Sequence, residues 1–157
     1  MLFRSQEGFQ LLEYGRYLNT YGGGVLKTDK PLFNPETNIS EGKSIILSLE
    51  GGYGDEIINA RFATNLKDVY NFEHVYIACD PSIATLFARI KGVSGVITRA
   101  ESDKVKHDYW LPGFSAGWVC GIEHNTLSGD PYLSANPESV NLWKEILKSD
   151  KIGRAHV

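Results

Sequence analysis

The feature that most constrains the fold is an apolar run that ends in a glycine-rich turn and is followed by a helical pattern. Residues 44–50 read SIILSLE and residues 51–54 read GGYG. Apolar residues then recur at helical spacing, at Ile58, Phe62, Leu66 and Val69. A short apolar run between turn signals predicts a buried strand, and the later spacing predicts a helix. The segment therefore predicts a strand, a glycine turn and a helix in succession.

The same order recurs further along the chain. Residues 74–80 predict a second strand, and residues 81–92 predict a helix that begins at Pro81 and ends at Gly92. Two shorter strands are predicted over residues 95–99 and 107–112. Strands that alternate with helices favour a parallel sheet with right-handed crossovers. The predicted fold class is α/β, a Rossmann-like three-layer domain with a mostly parallel sheet, preceded by one helix.

The flanking segments predict further elements. A helix is expected over residues 7–21, and residues 25–43 are typical of an irregular connector that crosses the surface. A short helix is expected over residues 113–121, and a longer one over residues 135–150 with Trp143 packed into the core. We divide the chain into an N-terminal helix and connector (1–43), a Rossmann-like domain (44–151) and a non-native tail (152–157).

Charge and composition narrow the classes of partner. The 157 residues include 16 basic and 19 acidic side chains, a net charge of −3, so the chain lacks the basic excess typical of nucleic-acid binding. No apolar run approaches the roughly 20 residues that a membrane span needs. Cys79 and Cys120 have no metal-ligand spacing and are interpreted as packing residues. We expect a cytoplasmic protein, free or peripheral to the inner membrane, with no nucleic-acid partner.

The glycine turn is the predicted functional centre. Glycine lets the backbone approach a ligand closely, and ligands of open parallel sheets bind at the carboxyl ends of strands. A dinucleotide fingerprint needs Gly or Ala where this chain has Ile57, which disfavours a nicotinamide cofactor. Asp55 has two interpretations: a helix cap, or a general base that takes a proton from an attacking hydroxyl. Local sequence leaves both open.

The order of several motifs resembles the N-terminal half of glycosyltransferase family 9, the heptosyltransferase-like enzymes, nearest the branch associated with tetratricopeptide repeats. These motifs are GGYGDEIINARF, HVYIACDPSIATLF, KGVSGVIT, HDYWLP and PYLSANPESVNLW. The resemblance implies a GT-B fold, whose first domain holds the acceptor and whose second domain, absent here, holds a nucleotide-sugar. Residues 113–118 depart from the pattern of that branch, which leaves the acceptor open.

The resemblance also implies chemistry and site residues. The reaction would be an inverting transfer of a sugar such as heptose to a glycan or lipopolysaccharide-type hydroxyl, with no metal or other cofactor. Asp55 would be the catalytic base. The implied substrate-binding residues are Gly51, Gly52, Tyr53, Gly54, Glu56 and Arg61. Arg61 is equally well interpreted as a solvated helix residue.

Other residues have competing interpretations. The pairs His107–Asp108 and Glu123–His124 are expected to be solvated loop residues, since two histidines without a third ligand do not define a metal site. Four aromatic residues could stack on a sugar or pack in the core: Tyr109, Trp110, Phe114 and Trp118. The basic residues Lys91, Arg99, Lys104 and Lys106 are expected to form a solvated face. The alternative function is a non-catalytic Rossmann-like binding module or degenerate half-enzyme.

The last residues, IGRAHV, resemble the translation of a sequencing adapter, which is the basis for assigning residues 152–157 to a non-native tail.

Overall fold

Four parallel strands form one sheet in a computed structural model that describes residues 4–18 and 26–149. The strands are β1 (Ser44–Ser48), β2 (His74–Cys79), β3 (Val93–Thr98) and β4 (Tyr109–Pro112), in the spatial order β3-β2-β1-β4. At the centre of the sheet Ile46 lies opposite both Tyr76 and Trp110. Every strand pair is parallel, so the carboxyl ends of all four strands meet at one edge.

Helices lie before, between and after the strands. They are α1 (Ser5–Tyr17), α2 (Tyr53–Ala60), α3 (Phe62–Asp68), α4 (Ala84–Phe87), α5 (Gly113–Val119), α6 (Pro137–Ser149) and a 3₁₀ helix (Arg99–Lys104). Residues 19–21 of the predicted first helix and the predicted tail at 152–157 lie outside the described residues. The parallel sheet flanked by helices confirms the predicted α/β class and is consistent with a Rossmann-like three-layer domain.

Alternate residues of β1 build two cores on opposite faces of the sheet. Ile45 and Leu47 belong to the larger core, which also takes buried residues from α2, α3, α4 and α5. Ile46 belongs to a smaller core with Leu26 and Trp110. This alternation follows from the two-residue repeat of a strand, and the burial of both faces explains why the run SIIL is continuously apolar.

The connector contributes to the core and pairs with the edge of the sheet, which its sequence does not indicate. The connector was expected to cross the surface, but its residue Phe33 is buried in the larger core, where its ring lies 4.9 Å from that of Phe72. Beside β4, the Phe33 N–H donates to the Trp110 carbonyl at 2.9 Å, and the Trp110 N–H donates to the Pro31 carbonyl at 3.2 Å. Residues 31–33 therefore pair with the outer edge of β4.

Three details of the helices differ from expectation. Ile58 and Val69 are exposed because the buried stripe of α2 and α3 contains smaller neighbours, including Ala60 and Ala63, which let the helices approach the sheet. Of the helix predicted over residues 81–92, only α4 (Ala84–Phe87) is α-helical in the structure. Trp143 was expected in the core but is 58% exposed, and Leu142, Ile146 and Leu147 on the same helix are exposed as well.

Among the helices that the structure describes, none combines the length and apolarity needed to cross a lipid bilayer.

Candidate functional site

The glycine turn lies directly after β1, at the carboxyl edge of the sheet. Gly51 has φ +83°, a conformation that residues with a Cβ rarely adopt. A Cβ at this position would also lie only 2.6 Å from Oδ2 of Asp55. Glycine is therefore required at position 51 both for the backbone turn and to leave room for the Asp55 carboxylate.

Asp55 lies in the first turn of α2, with its carboxylate folded back over the turn. Its Oδ2 accepts a hydrogen bond from the Gly52 N–H at 2.9 Å, and the side chain remains exposed. The bond satisfies a backbone donor at the start of the helix, as the capping interpretation predicted. The interpretation of Asp55 as a general base stays a prediction.

A second turn lies beside the glycine turn, after β2. The hydroxyl of Tyr53 lies 3.1 Å from that of Ser82, and the Ser82 side chain and backbone N–H both donate to Asp80. These two hydrogen bonds to its carboxylate hold the pKa of Asp80 below its usual range. The 55% exposed Tyr53 thus connects the two turns and offers an aromatic surface at the edge of the sheet.

Glu56 faces the interior, although the resemblance implied a substrate contact. It is 1% exposed, forms an ion pair with Arg99, and accepts a hydrogen bond from the Asp80 N–H at 3.0 Å. Arg99 also donates to the Leu49 carbonyl from Nε at 2.8 Å and from Nη2 at 2.6 Å. The pair therefore fastens together the ends of β1, β2 and β3.

Arg99 was expected on a solvated basic face, which is wrong because its guanidinium bonds to the Leu49 carbonyl and to Glu56 beside the glycine turn. A signal was present in the sequence, since Arg99 ends the third predicted strand at the same edge of a parallel sheet as the turn.

A second buried carboxylate belongs to Glu50, which precedes the turn. It is 1% exposed and accepts a hydrogen bond from the Phe114 N–H at the start of α5 at 3.3 Å. Gly113 packs closely here, because a Cβ at this residue would lie 3.3 Å from the Leu49 Cα. The start of α5 is thus held against the end of β1.

Arg61 lies outside the glycine turn. It lies between α2 and α3, and its guanidinium stacks on the ring of Tyr132 at 4.7 Å from the ring centroid. The Tyr132 hydroxyl donates to the Ile57 carbonyl at 2.7 Å. Arg61 lines a pocket that includes none of residues 50–56. The structure therefore brings Gly51, Gly52, Tyr53, Gly54, Asp55 and Glu56 together but separates Arg61 from them.

The remaining candidates divide between core and surface. Trp110 is buried in the smaller core, whereas Trp118 is exposed. His107 is buried, contrary to expectation, because its ring is held between the Thr28 hydroxyl at 2.8 Å and the Val105 carbonyl at 2.7 Å. Within residues 4–18 and 26–149, no three His, Cys, Asp or Glu side chains are grouped as metal ligands.

The two cysteines are expected to be poor nucleophiles in the folded protein. Burial raises the pKa of both thiols to about 12, and for Cys79 the Glu56 carboxylate adds to the effect. A raised thiol pKa leaves almost no thiolate at neutral pH, and the thiolate is the reactive form. Ellman's reagent should therefore label the native chain slowly and both thiols rapidly in concentrated guanidinium chloride. A Cys120→Ser variant assigns the two rates, and fast native labelling of either thiol would contradict this expectation.

The described site is an edge of the sheet where the exposed Asp55 and Tyr53 stand on a turn fixed by the buried Glu50 and Glu56 and by the half-buried Arg99. Its surface offers a carboxylate, an aromatic ring and glycine backbone, which are groups that can contact a hydroxylated ligand. Comparisons of this chain with family models, curated proteins and solved structures gave no match.

Proposed function

We propose that this chain is the acceptor-side half of an inverting glycosyltransferase, with Asp55 as the catalytic base. The observation that carries the proposal is an exposed carboxylate, fixed by the Gly52 N–H, on a glycine turn at the carboxyl edge of a parallel sheet. Ligands of open α/β sheets bind at this edge. The resemblance of the sequence to glycosyltransferase family 9 supplies the reaction type.

In the proposed reaction the acceptor is a hydroxyl of a glycan or lipopolysaccharide-type molecule, and the donor is a nucleotide-sugar. The hydroxyl oxygen attacks the anomeric carbon and forms the new glycosidic bond while Asp55 takes its proton. The bond between the anomeric carbon and the phosphate oxygen of the donor breaks, and the nucleoside diphosphate leaves with the electron pair. The donor would be held by a further domain. The proposed reaction uses no metal or other cofactor.

The capping bond of Asp55 is compatible with this role. An ionised carboxylate has about four lone-pair sites on two oxygens, so one hydrogen bond to Oδ2 does not exhaust them. The bond to Gly52 instead orients the group, and an oriented base is more effective than a freely rotating one. Gly52 and Gly54 add no side chains between the carboxylate and an approaching acceptor.

The second candidate function is a binding module without catalysis. One observation favours it: the hydrogen bond to Gly52 is sufficient to explain an aspartate at position 55 as a helix cap. In that case a ligand would contact the turn, but no proton transfer would depend on Asp55.

Ligand binding at the turn tests the proposal first. We expect a subset of oligosaccharides and lipopolysaccharide-core fragments to shift the amide resonances of residues 51–56 in heteronuclear NMR spectra, and Tyr53→Ala to weaken this binding. Tyr14→Ala is a matched control, because Tyr14 is also an exposed tyrosine but lies on α1, outside residues 51–56. Sugar transfer is then measured as nucleoside diphosphate release, using protein expressed from the complete reading frame. Absence of transfer with bound glycan would favour the binding module, and absence of any glycan binding would contradict the proposed transferase.

A further inference from the structure

A second pocket lies on the helical layer, outside the glycine turn. It is bounded by α3, the residues after α4 and the segment of residues 122–134, and we call it the loop pocket. Its volume is about 410 Å³, within the range of roughly 300–1,000 Å³ typical of small-molecule sites. Three cationic side chains line it: Arg61, Arg89 and Lys91.

The two arginines of the loop pocket are fixed by neutral groups. Arg89 donates from Nε at 3.1 Å and from Nη2 at 2.9 Å to the Ser134 carbonyl, and Arg61 donates to the Ser128 carbonyl at 3.5 Å. Neither guanidinium has a carboxylate within salt-bridge distance among the described residues. Both arginines are therefore positioned, but their charges are not neutralised by these contacts.

Arg61 also has an unsatisfied donor. Its Nε is buried and has no hydrogen-bond acceptor in the described part of the chain. An unsatisfied buried N–H is destabilising, and the penalty is larger for a charged group. Because Nε has almost no solvent-accessible surface, an anion bound in the pocket would contact the terminal Nη1 and Nη2 groups of this guanidinium rather than Nε.

The charge around the loop pocket is positive although the whole chain has a net charge of −3. The lining contains three cations and one carboxylate, that of Asp130, which accepts a hydrogen bond from the Ser128 hydroxyl at 2.8 Å. Lys91 pairs with Asp68 at 2.6 Å, but its side chain is 78% exposed, so water screens the pair. A net positive pocket with two guanidinium groups suits a multiply charged anion with several oxygens.

We propose that the loop pocket binds a phosphoryl group, free or carried by a small organic molecule. Two guanidinium groups and one ammonium group can share the oxygens of a phosphate dianion. The pocket also has apolar lining from Phe62, Ile122 and Leu133, which would contact the organic part of a phosphate ester. This proposal does not rest on the proposed transferase activity, because the loop pocket and residues 50–56 share no residue.

Isothermal titration of the chain with inorganic phosphate, a sugar phosphate and a nucleoside monophosphate tests the proposal. We expect saturable binding that weakens as salt concentration rises. Arg89→Gln should weaken it by about tenfold or more, because charge-assisted hydrogen bonds are lost, and Lys91→Gln by about threefold or more. Tighter binding of an ester identifies a phosphorylated organic molecule as the ligand, and equal binding identifies free phosphate.

Two variants separate binding from stability. Lys91→Gln leaves the hydrogen bonds of Arg61 and Arg89 in place, so its melting temperature without ligand should match that of the parent chain. Lys104→Gln is the matched control, since Lys104 is another exposed lysine paired with a carboxylate but lies on the 3₁₀ helix, outside the loop pocket. Equal phosphate affinity of the Lys91→Gln and Lys104→Gln variants, or no saturable binding by the parent chain, would overturn the proposal.

Discussion

Arg99→Met is expected to lower the free energy of unfolding by about 3 kcal/mol, the largest loss of stability we predict from one side chain. The change leaves the Glu56 carboxylate buried without its cation, with the hydrogen bond from the Asp80 N–H still present. It also removes both donors to the Leu49 carbonyl. Chemical denaturation in urea, followed by far-ultraviolet circular dichroism, measures the loss.

Two further variants establish the origin of that loss. Lys91→Met removes an exposed cation from its pair with Asp68 and should change stability by about 0.5 kcal/mol or less. Adding Glu56→Gln to Arg99→Met should recover part of the loss, because no buried charge is then left unpaired. If Arg99→Met unfolds at the same urea concentration as the parent chain, the pair does not hold the ends of the strands together.

Asp55→Asn is expected to reduce the turnover of the proposed transferase by about 10²- to 10⁴-fold, the range typical of a lost general base. The amide oxygen of asparagine can still accept the hydrogen bond from the Gly52 N–H, so the turn and the start of α2 should be retained. Glycan affinity should therefore change little while kcat falls. Initial rates of nucleoside diphosphate release, measured on protein from the complete reading frame, give both parameters.

Glu138→Gln provides the matched control for Asp55→Asn. Glu138 is also an exposed acid in the first turn of a helix, but it lies on α6. Its replacement should leave turnover unchanged. Full turnover by Asp55→Asn would remove the catalytic assignment and leave Asp55 as a helix cap only.

Local sequence was sufficient to predict the strands and their common direction. β1, for example, lies within the predicted residues 44–50, because an apolar run between turn signals has few alternatives. The buried side of the following helix was less predictable. Helical spacing indicated Ile58, Phe62, Leu66 and Val69. Phe62 and Leu66 are buried, but Ile58 and Val69 are exposed while Ala60 and Ala63 pack in the core. Trp143 was placed in the core because it shares the apolar helical face with Val140 and Leu147, and the structure leaves it exposed.

The candidate site was predictable only as far as it is contiguous in sequence. The glycine turn and Asp55 are neighbours along the chain, so their proximity could be inferred from residues 51–55. The pairing of Glu56 with Arg99 joins residues that are 43 positions apart and depends on the register of the sheet. The loop pocket likewise depends on the course of residues 122–134 over α3, which no periodic pattern indicates.

The pairing of residues 31–33 with β4 bears on self-association. A strand at the edge of a sheet exposes unpaired N–H and carbonyl groups, which can recruit a strand from another molecule. Here the Trp110 N–H and carbonyl are already bonded to Pro31 and Phe33, and the Phe33 ring is anchored in the larger core. A strand from another molecule could pair with Trp110 only if Phe33 left the larger core. The connector therefore protects this part of the sheet edge against aggregation.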